Sequence, residues 1–170
     1  MSTNDSSTTI LVIGIGNSFR RDDGAGVEVV RRIEELELEN VQTIEQSGEG
    51  VSLMAAWEGA ESVILVDAVS SGSPPGAIHF LNPIEKEIPS DFFHYSTHAF
   101  SVAEAVELAR ALGKLPPRIW IYGIEGIDFG AGEGFSPIVE RSIHEVAGLL
   151  AEFIHRLATD QIEMEEPIDA

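Results

Sequence analysis

Two segments of the sequence place carboxylates where a strand meets the element that follows it. Asp22 and Asp23 follow the apolar run 9–15 and open a predicted helix, and Asp67 lies near the end of the apolar run 62–69. An acid can cap a helix or bond to a following turn. However, two adjacent acids exceed the need of one cap, and burying an unpaired carboxylate costs on the order of several kcal/mol. Asp23 and Asp67 are therefore candidates for holding a cation, and capping is the competing interpretation.

A histidine supplies a third candidate ligand. His98 lies at the start of a helix predicted for residues 97–112, where the positive end of the helix dipole favours the neutral, metal-binding imidazole. His94 is four residues earlier and ranks second, because the segment around it has no clear helical period. The remaining histidines are interpreted as surface or boundary residues; they are His79, His144 and His155.

Asp23, Asp67 and His98 come from three loops that one edge of the predicted sheet brings together. Two carboxylates placed close together repel, so at least one pKa should rise in the empty site, and a bound cation would relieve the repulsion. One imidazole with two carboxylates is a mixed nitrogen and oxygen set suited to nickel, zinc, iron or manganese. The residues alone leave the choice among these metals open.

Other kinds of site lack their required residues. Gly14 and Gly16 begin a pattern like a dinucleotide fingerprint, but Phe19 stands where the third glycine belongs, and no Gly-Lys-Ser/Thr phosphate loop follows. The chain has no cysteine, and no Gly-x-Ser-x-Gly nucleophile motif is present. Ser70 and Ser71 are interpreted as turn residues.

Alternating strands and helices position these residues. Apolar runs predict strands at 9–15, 62–69 and 118–124, and two further strands are predicted at 41–46 and, at the sheet edge, 77–82. Helices are predicted at 23–38, 51–57, 97–112 and 137–157, with an irregular segment at 83–95. This order predicts a three-layer α/β/α fold with a mostly parallel twisted sheet of about five strands and one antiparallel edge strand. Ligands of such sheets bind outside the carboxyl ends of the strands, where loops 16–23, 67–76 and 94–98 should meet.

Composition limits the partners and the compartment. The formal net charge is −19 with ten basic residues, which argues against binding nucleic acid or an anionic membrane surface. No apolar run reaches the roughly 18 residues that span a bilayer, and the first eight residues lack the features of a signal peptide. We expect a disordered leader at 1–8, a single domain at 9–158, an acidic tail at 159–170 and a cytoplasmic monomer.

Four segments together resemble the hydrogenase maturation endopeptidases. They are ILVIGIGNSFRRDDGAGV (10–27), VILVDAV (63–69), STHAFSVAEAVELA (96–109) and YGIEGIDFGAGEGFSP (122–137). The likeness spans roughly residues 9–157 in the same order. The family's metal-contacting positions correspond to Asp23, where many members have Glu, to Asp67 and to His98. Another departure is residues 47–50, SGEG, where several relatives have a Gly-Thr loop.

The resemblance implies a specific substrate. These peptidases trim the C-terminal extension from the large-subunit precursor of nickel–iron hydrogenases after nickel insertion, so the metal is nickel already held by the substrate. Asp23, Asp67 and His98 would contact that nickel as the catalytic site, and Asp22 is a weaker candidate for activating water. Two alternatives share the ligands: a non-enzymatic nickel-binding adaptor for the same precursor, and a metalloexopeptidase with its own metal.

Overall fold

The computed structural model describes residues 9–47, 50–88 and 102–159. Five strands alternate with four helices and one short 3-10 turn in the described part of the chain. The strands are β1 (Ile10–Ile15), β2 (Val41–Gln46), β3 (Ser62–Val69), β4 (Ile78–Leu81) and β5 (Arg118–Glu125). The helices are α1 (Ala25–Glu35), α2 (Gly50–Trp57), α3 (Val102–Ala111) and α4 (Pro137–Ala158), and the 3-10 turn Arg21–Gly24 precedes α1.

All five strands form one sheet in the order β2-β1-β3-β5-β4. The first four are parallel, and β4 pairs with β5 antiparallel at the edge. Helices α1 and α4 cover one face, and α2 and α3 cover the other. The predicted three-layer architecture, including the antiparallel edge strand, is therefore confirmed.

The neighbouring strands β1 and β3 explain why Asp23 and Asp67 lie at the same edge of the sheet. Every residue of β1 and of β3 is buried, as expected for parallel strands that are covered on both faces. Because β1 and β3 are direct neighbours, their carboxyl ends open at the same edge of the sheet. The turn that carries Asp23 follows β1, and Asp67 is the sixth residue of β3.

A close approach between α1 and the sheet brings these two elements into contact. Gly26, in the first turn of α1, lies so near β3 that an added Cβ would overlap the carbonyl oxygen of Val66. Gly14 in β1 faces the same contact, since its added Cβ would lie 2.8 Å from the carbonyl oxygen of Gly26. The two glycines thus let the start of α1 pack directly against the end of β3, one residue before Asp67.

Several predicted boundaries differ from the structure. The helix predicted at 23–38 is a 3-10 turn followed by α1, which begins at Ala25 and ends at Glu35. The backbone N–H of Asp22 donates to the carbonyl of Asp128 at 2.9 Å, and this long-range bond holds the turn apart from the helix. The other predicted strands and helices agree within two residues where both ends are described. The start of the helix predicted at 97–112, the leader 1–8 and the tail from 160 lie outside the described residues.

No helix in the described ranges combines the length and the apolar character needed to cross a bilayer.

The contact at Gly26 can be tested by adding a single methyl group. We expect Gly26→Ala to lower the free energy of unfolding by about 3 kcal/mol, because the rigid backbone of β3 must move to admit the Cβ. Gly148→Ala is the matched control in the interior of α4, where nothing lies within 4 Å of an added Cβ. It should raise stability by about 1 kcal/mol through helix propensity. Equal urea midpoints for Gly26→Ala and the native chain would disprove the close packing.

Candidate functional site

Asp67 is a buried carboxylic acid at the carboxyl edge of the sheet. The residue is 9% exposed and pairs in register with Gly123 of β5. Burial raises the pKa of Asp67 well above its usual value, the negative charge of Asp23 raises it further, and a hydrogen bond from the Ala68 backbone lowers it only in part. The ionised form of Asp67 is therefore disfavoured, and a nearby positive charge would stabilise it.

Asp23 supplies the negative charge that adds to the effect of burial on the pKa of Asp67. It lies in the 3-10 turn before α1, is half-buried, and its Oδ2 accepts the backbone N–H of Asn17 at 3.0 Å. Gly16, at the end of β1, adopts a φ of +137°, and a Cβ there would overlap the carbonyl oxygen of Asp23. The loop after β1 thus folds tightly around Asp23 and keeps its charge beside Asp67.

Asp22 has a different role from its neighbour. The side chain is fully buried, and its Oδ2 accepts the backbone N–H groups of Ile127 at 3.0 Å and Asp128 at 2.9 Å. Ser136 donates to the same carboxylate twice, from its backbone N–H at 2.8 Å and from its hydroxyl at 2.8 Å. Burial alone would raise the pKa of Asp22, but these four hydrogen bonds outweigh it, and the pKa lies below the usual value.

Two interpretations of Asp22 are therefore corrected. Its oxygens accept hydrogen bonds from Ile127, Asp128 and Ser136 and not from the start of α1, so helix capping does not explain this member of the acid pair. Its oxygens are occupied by donors from residues 127–136, which argues against Asp22 as the group that activates water. The partners are more than 100 residues away in the chain, and no local pattern around residue 22 indicates them.

The competing interpretation of Asp67 as a turn cap is also wrong. In the turn that follows Asp67, the backbone N–H groups of Ser71 and Gly72 donate to Glu125 Oε1 at 2.7 and 3.1 Å. Glu125 is 2% exposed and lies at the end of β5, and His79 Nε2 lies 3.2 Å from its Oε2. The sequence carried a signal for Glu125, since it is an acid at the end of an apolar strand, like Asp67.

Of the five histidines, three lie in the part of the chain that the structure describes and two do not. His98 and His94 lie outside the described residues, so both stay predictions. His144 and His155 are exposed on α4, as expected, whereas His79 is the partner of the buried Glu125. Within residues 9–47, 50–88 and 102–159, no group of three His, Cys, Asp or Glu side chains is arranged to hold a metal ion. Asp23 and Asp67 consequently need at least one further donor to complete a metal site.

The two acids create a negative potential that would favour a divalent cation if a further donor completed the site. A cation between Asp23 and Asp67 would replace their repulsion by attraction and restore the ionised form of Asp67. The same edge is where open parallel sheets bind their ligands. A cation held there would supply Lewis-acid chemistry, with a bound water or carbonyl as the group to be polarised.

Sequence comparisons find a family model and relatives that are all described as hydrogenase maturation or hydrogenase expression/formation proteins. The family model described as hydrogenase maturation protease matches residues 27–152, which include Asp67 and begin four residues after Asp23. The Hydrogenase 2 maturation protease of Escherichia coli is 27% identical over 138 residues, covering 79% of this chain and 83% of that protein. The hydrogenase expression/formation protein HupD of Thiocapsa roseopersicina is 28% identical over 155 residues, covering 84% and 69%.

Solved structures share the fold. An endopeptidase from Escherichia coli, determined in solution, superimposes with a TM-score of 0.72 at 27% identity, covering 92% of this chain and 96% of that one. The [NiFe] hydrogenase maturation protease HybD from Thermococcus kodakarensis superimposes with a TM-score of 0.68, covering 86% and 99%. At 22% identity, this second likeness concerns the fold alone.

The raised pKa of Asp67 leads to a pH-dependent expectation for stability. A carboxyl whose pKa is higher in the folded state destabilises the fold as the pH rises from its unfolded value near 3.8 to its folded value. In metal-free protein with chelator, we expect Asp67→Asn to melt above the native chain. This advantage should grow as the pH rises from 5.5 toward the folded pKa of Asp67.

The exposed acid Glu145 of α4 provides the control for this measurement. Glu145→Gln removes one negative charge from the same chain and should leave the melting temperature nearly constant relative to the native protein across this pH range. An Asp67→Asn variant that melts below the native chain at pH 8 would show that Asp67 is stabilised by contacts rather than strained.

Asp22 should behave in the opposite way. Because its pKa is lowered in the folded state, its ionised form stabilises the fold above pH 3.8, and this contribution is lost as the pH falls through the folded value. At pH 7, we expect Asp22→Ala to lower the free energy of unfolding by about 3 kcal/mol, since several buried donors lose their acceptor.

The control for Asp22 is an exposed ion pair, Glu45 with Arg31, whose charged atoms lie 2.8 Å apart. Glu45→Ala should change the free energy of unfolding, measured in urea, by less than about 1 kcal/mol. Comparable losses in the two variants would contradict the role of Asp22 as the acceptor that organises residues 127–136.

Proposed function

Because the chain belongs to the hydrogenase maturation protease family and is therefore a peptidase, we propose that it removes the C-terminal extension of a nickel–iron hydrogenase large-subunit precursor. The cut follows nickel insertion, and the nickel is part of the substrate. Asp23, Asp67 and His98 contact this nickel and so align the scissile peptide bond. The protein acts on the precursor alone, without a nucleic acid or a membrane as partner.

The observation that carries this proposal is the unfavourable state of Asp67. A buried acid whose ionised form is disfavoured by burial and by a second carboxylate supports binding of a cation that arrives with the substrate. A precursor without nickel would offer no such compensation. The repulsion between Asp23 and Asp67 thus provides a reason why only the nickel-loaded precursor would bind in a position that allows cleavage.

The third donor is assigned to His98. The described residues supply two carboxylates and no third ligand, so a nitrogen donor from the segment between β4 and α3 would complete the mixed set that nickel accepts. The neutral imidazole adds no negative charge, which limits the repulsion already present between Asp23 and Asp67. The substrate's own ligands would fill the remaining coordination positions.

Hydrolysis then requires water, a polarised carbonyl and a base. Water adds to the carbonyl carbon of the scissile bond, the carbon–nitrogen bond breaks, and the released amine takes up a proton. The substrate nickel stabilises negative charge on the carbonyl oxygen or the attacking water. A carboxylate oxygen at this edge that does not contact the nickel accepts the proton of the water. The four hydrogen bonds of Asp22 make it unsuitable for that step.

The test compares nickel-loaded and nickel-free precursor in the presence of purified protein. Mass spectrometry should detect loss of the C-terminal extension from the loaded precursor alone. His98→Ala should reduce the cleavage rate by at least ~100-fold, because nickel-dependent charge stabilisation is worth several kcal/mol. His144→Ala, at an exposed position of α4, should cleave at the native rate.

Other outcomes identify the alternatives. Equal cleavage of both precursors would refute recognition of nickel. Binding without any cleavage would indicate an adaptor, and cleavage of unrelated peptides by dialysed protein that retains one metal ion would indicate a metalloexopeptidase. A folded His98→Ala variant with near-native activity would refute the assignment of that ligand.

A further inference from the structure

Glu125 organises the loop that follows Asp67. Its buried carboxylate accepts three hydrogen bonds and lies next to the ring of a histidine. Oε1 accepts the backbone N–H groups of Ser71 and Gly72, and Oε2 accepts the Ser71 hydroxyl at 2.9 Å and contacts His79 Nε2 at 3.2 Å. The partners of the Glu125 side chain thus belong to the turn after β3 and to the neighbouring strand β4. The side chain therefore acts as an internal anchor.

The main chain of Glu125 holds the other end of the same loop. Its carbonyl accepts the N–H of Gly76 at 2.7 Å, and its N–H donates to the carbonyl of Ala77 at 2.9 Å. One residue thus ties down both the start and the end of the segment 70–77. Adjacent Gly126 donates to the carbonyl of Val69 at 3.0 Å, which fixes the point where β3 passes into the loop.

The anchored loop lies beside the candidate site. In the parallel pairing of β3 with β5, Asp67 is opposite Gly123 and Val69 is opposite Glu125, so Asp67 and Glu125 share a face of the sheet. Strand spacing and rise place their Cα atoms roughly 8 Å apart. His79, on β4, is opposite Gly123 on the other side. The loop thus begins three residues after Asp67 and is held by a residue one strand away.

The loop has suitable chemistry for contacting a peptide. Its residues 70–76, SSGSPPG, combine hydroxyl groups with backbone that no strand covers. Gly72 is exposed, and Ser70, Ser71 and Ser73 are partly exposed. Two prolines restrict its backbone, and the bonds to Glu125 fix its start. Loop 70–76 therefore offers a conformationally restricted polar surface at the edge where the precursor must present its scissile bond.

We propose that Glu125 is a positioning residue for cleavage, which holds loop 70–73 beside Asp67 so that the loop orients the precursor's scissile segment against the nickel. This inference rests on the proposed function. Glu125 itself does not touch the substrate. Its contribution is geometric, and a displacement of about 1 Å in such a positioning element can reduce a rate by ~100-fold.

The experiment measures cleavage of nickel-loaded precursor under single-turnover conditions over a range of enzyme concentrations. Glu125→Ala should lower the saturating rate at least tenfold. Glu125→Gln should stay within threefold of native, because its amide oxygen can still accept the N–H groups of Ser71 and Gly72. Binding of nickel(II) alone, measured by calorimetry, should stay within twofold in both variants, since Asp23 and Asp67 are unchanged.

Two further variants complete the design. Glu107→Ala removes an acid that pairs with Arg110 on α3 at 3.1 Å, and this control should cleave at the native rate. Ser71→Ala removes the hydroxyl bonds to Glu125 and Ser73 but keeps the backbone N–H bond to Glu125, and it should lower the saturating rate about threefold. If Glu125→Ala does not fold, as judged by circular dichroism, Ser71→Ala carries the test, and a native rate there would overturn the proposal.

The remaining outcomes are also decisive. A folded Glu125→Ala variant that cleaves at the native rate would overturn the inference while leaving the proposed function intact. Loss of cleavage in Glu125→Gln equal to that in Glu125→Ala would mean that charge, not loop position, is required. Parallel loss of nickel(II) binding would mean that Glu125 supports the whole edge. Native protein that fails to cleave the precursor would overturn the proposed function and this inference together.

Discussion

The repulsion between Asp23 and the buried Asp67 is the interaction on which the site depends. It exists because the start of α1 packs against the end of β3 at Gly26, leaving two carboxylates together in a place with little water. Such an arrangement destabilises the resting protein and gives a cation a large favourable effect when it binds. In the proposed function, this repulsion is also the physical basis for recognising a metal-loaded substrate.

The four buried or half-buried acids at this edge divide into two kinds. Asp22 and Glu125 accept several hydrogen bonds and hold loops in place, whereas the charge of Asp23 acts on the buried Asp67 and disfavours its ionised form. Residues 125–128 connect the first two, because Glu125 anchors loop 70–77 and the N–H groups of Ile127 and Asp128 bond to Asp22. The same functional group therefore supplies both the scaffold and the reactive centre, and the difference lies in the hydrogen-bond donors around each acid.

The sequence predicted what local pattern and topology determine. All five described strands were located, three of them by apolar runs, and the alternation of elements led to the correct sheet type, in which the carboxyl ends of β1 and β3 share an edge. It did not predict the start of α1 or the roles of Asp22, Glu125 and His79, because these depend on hydrogen bonds between distant segments, such as Ser136 with Asp22. Buried acids look alike in a sequence, and only the folded chain distinguishes Asp22, which accepts four hydrogen bonds, from Asp67, whose ionised form is disfavoured. The role of His98 remains a prediction from family resemblance.

The most direct measurement is the carboxyl titration of Asp67 by carbon-13 NMR, in metal-free native protein and in Asp23→Asn. The coupling of the two acids predicts a pKa of Asp67 above the usual range in the native chain and a clear decrease when the charge at residue 23 is removed. A titration of Asp67 that is identical in the two proteins, or a native value in the usual range, would contradict the convergence of these side chains at one site.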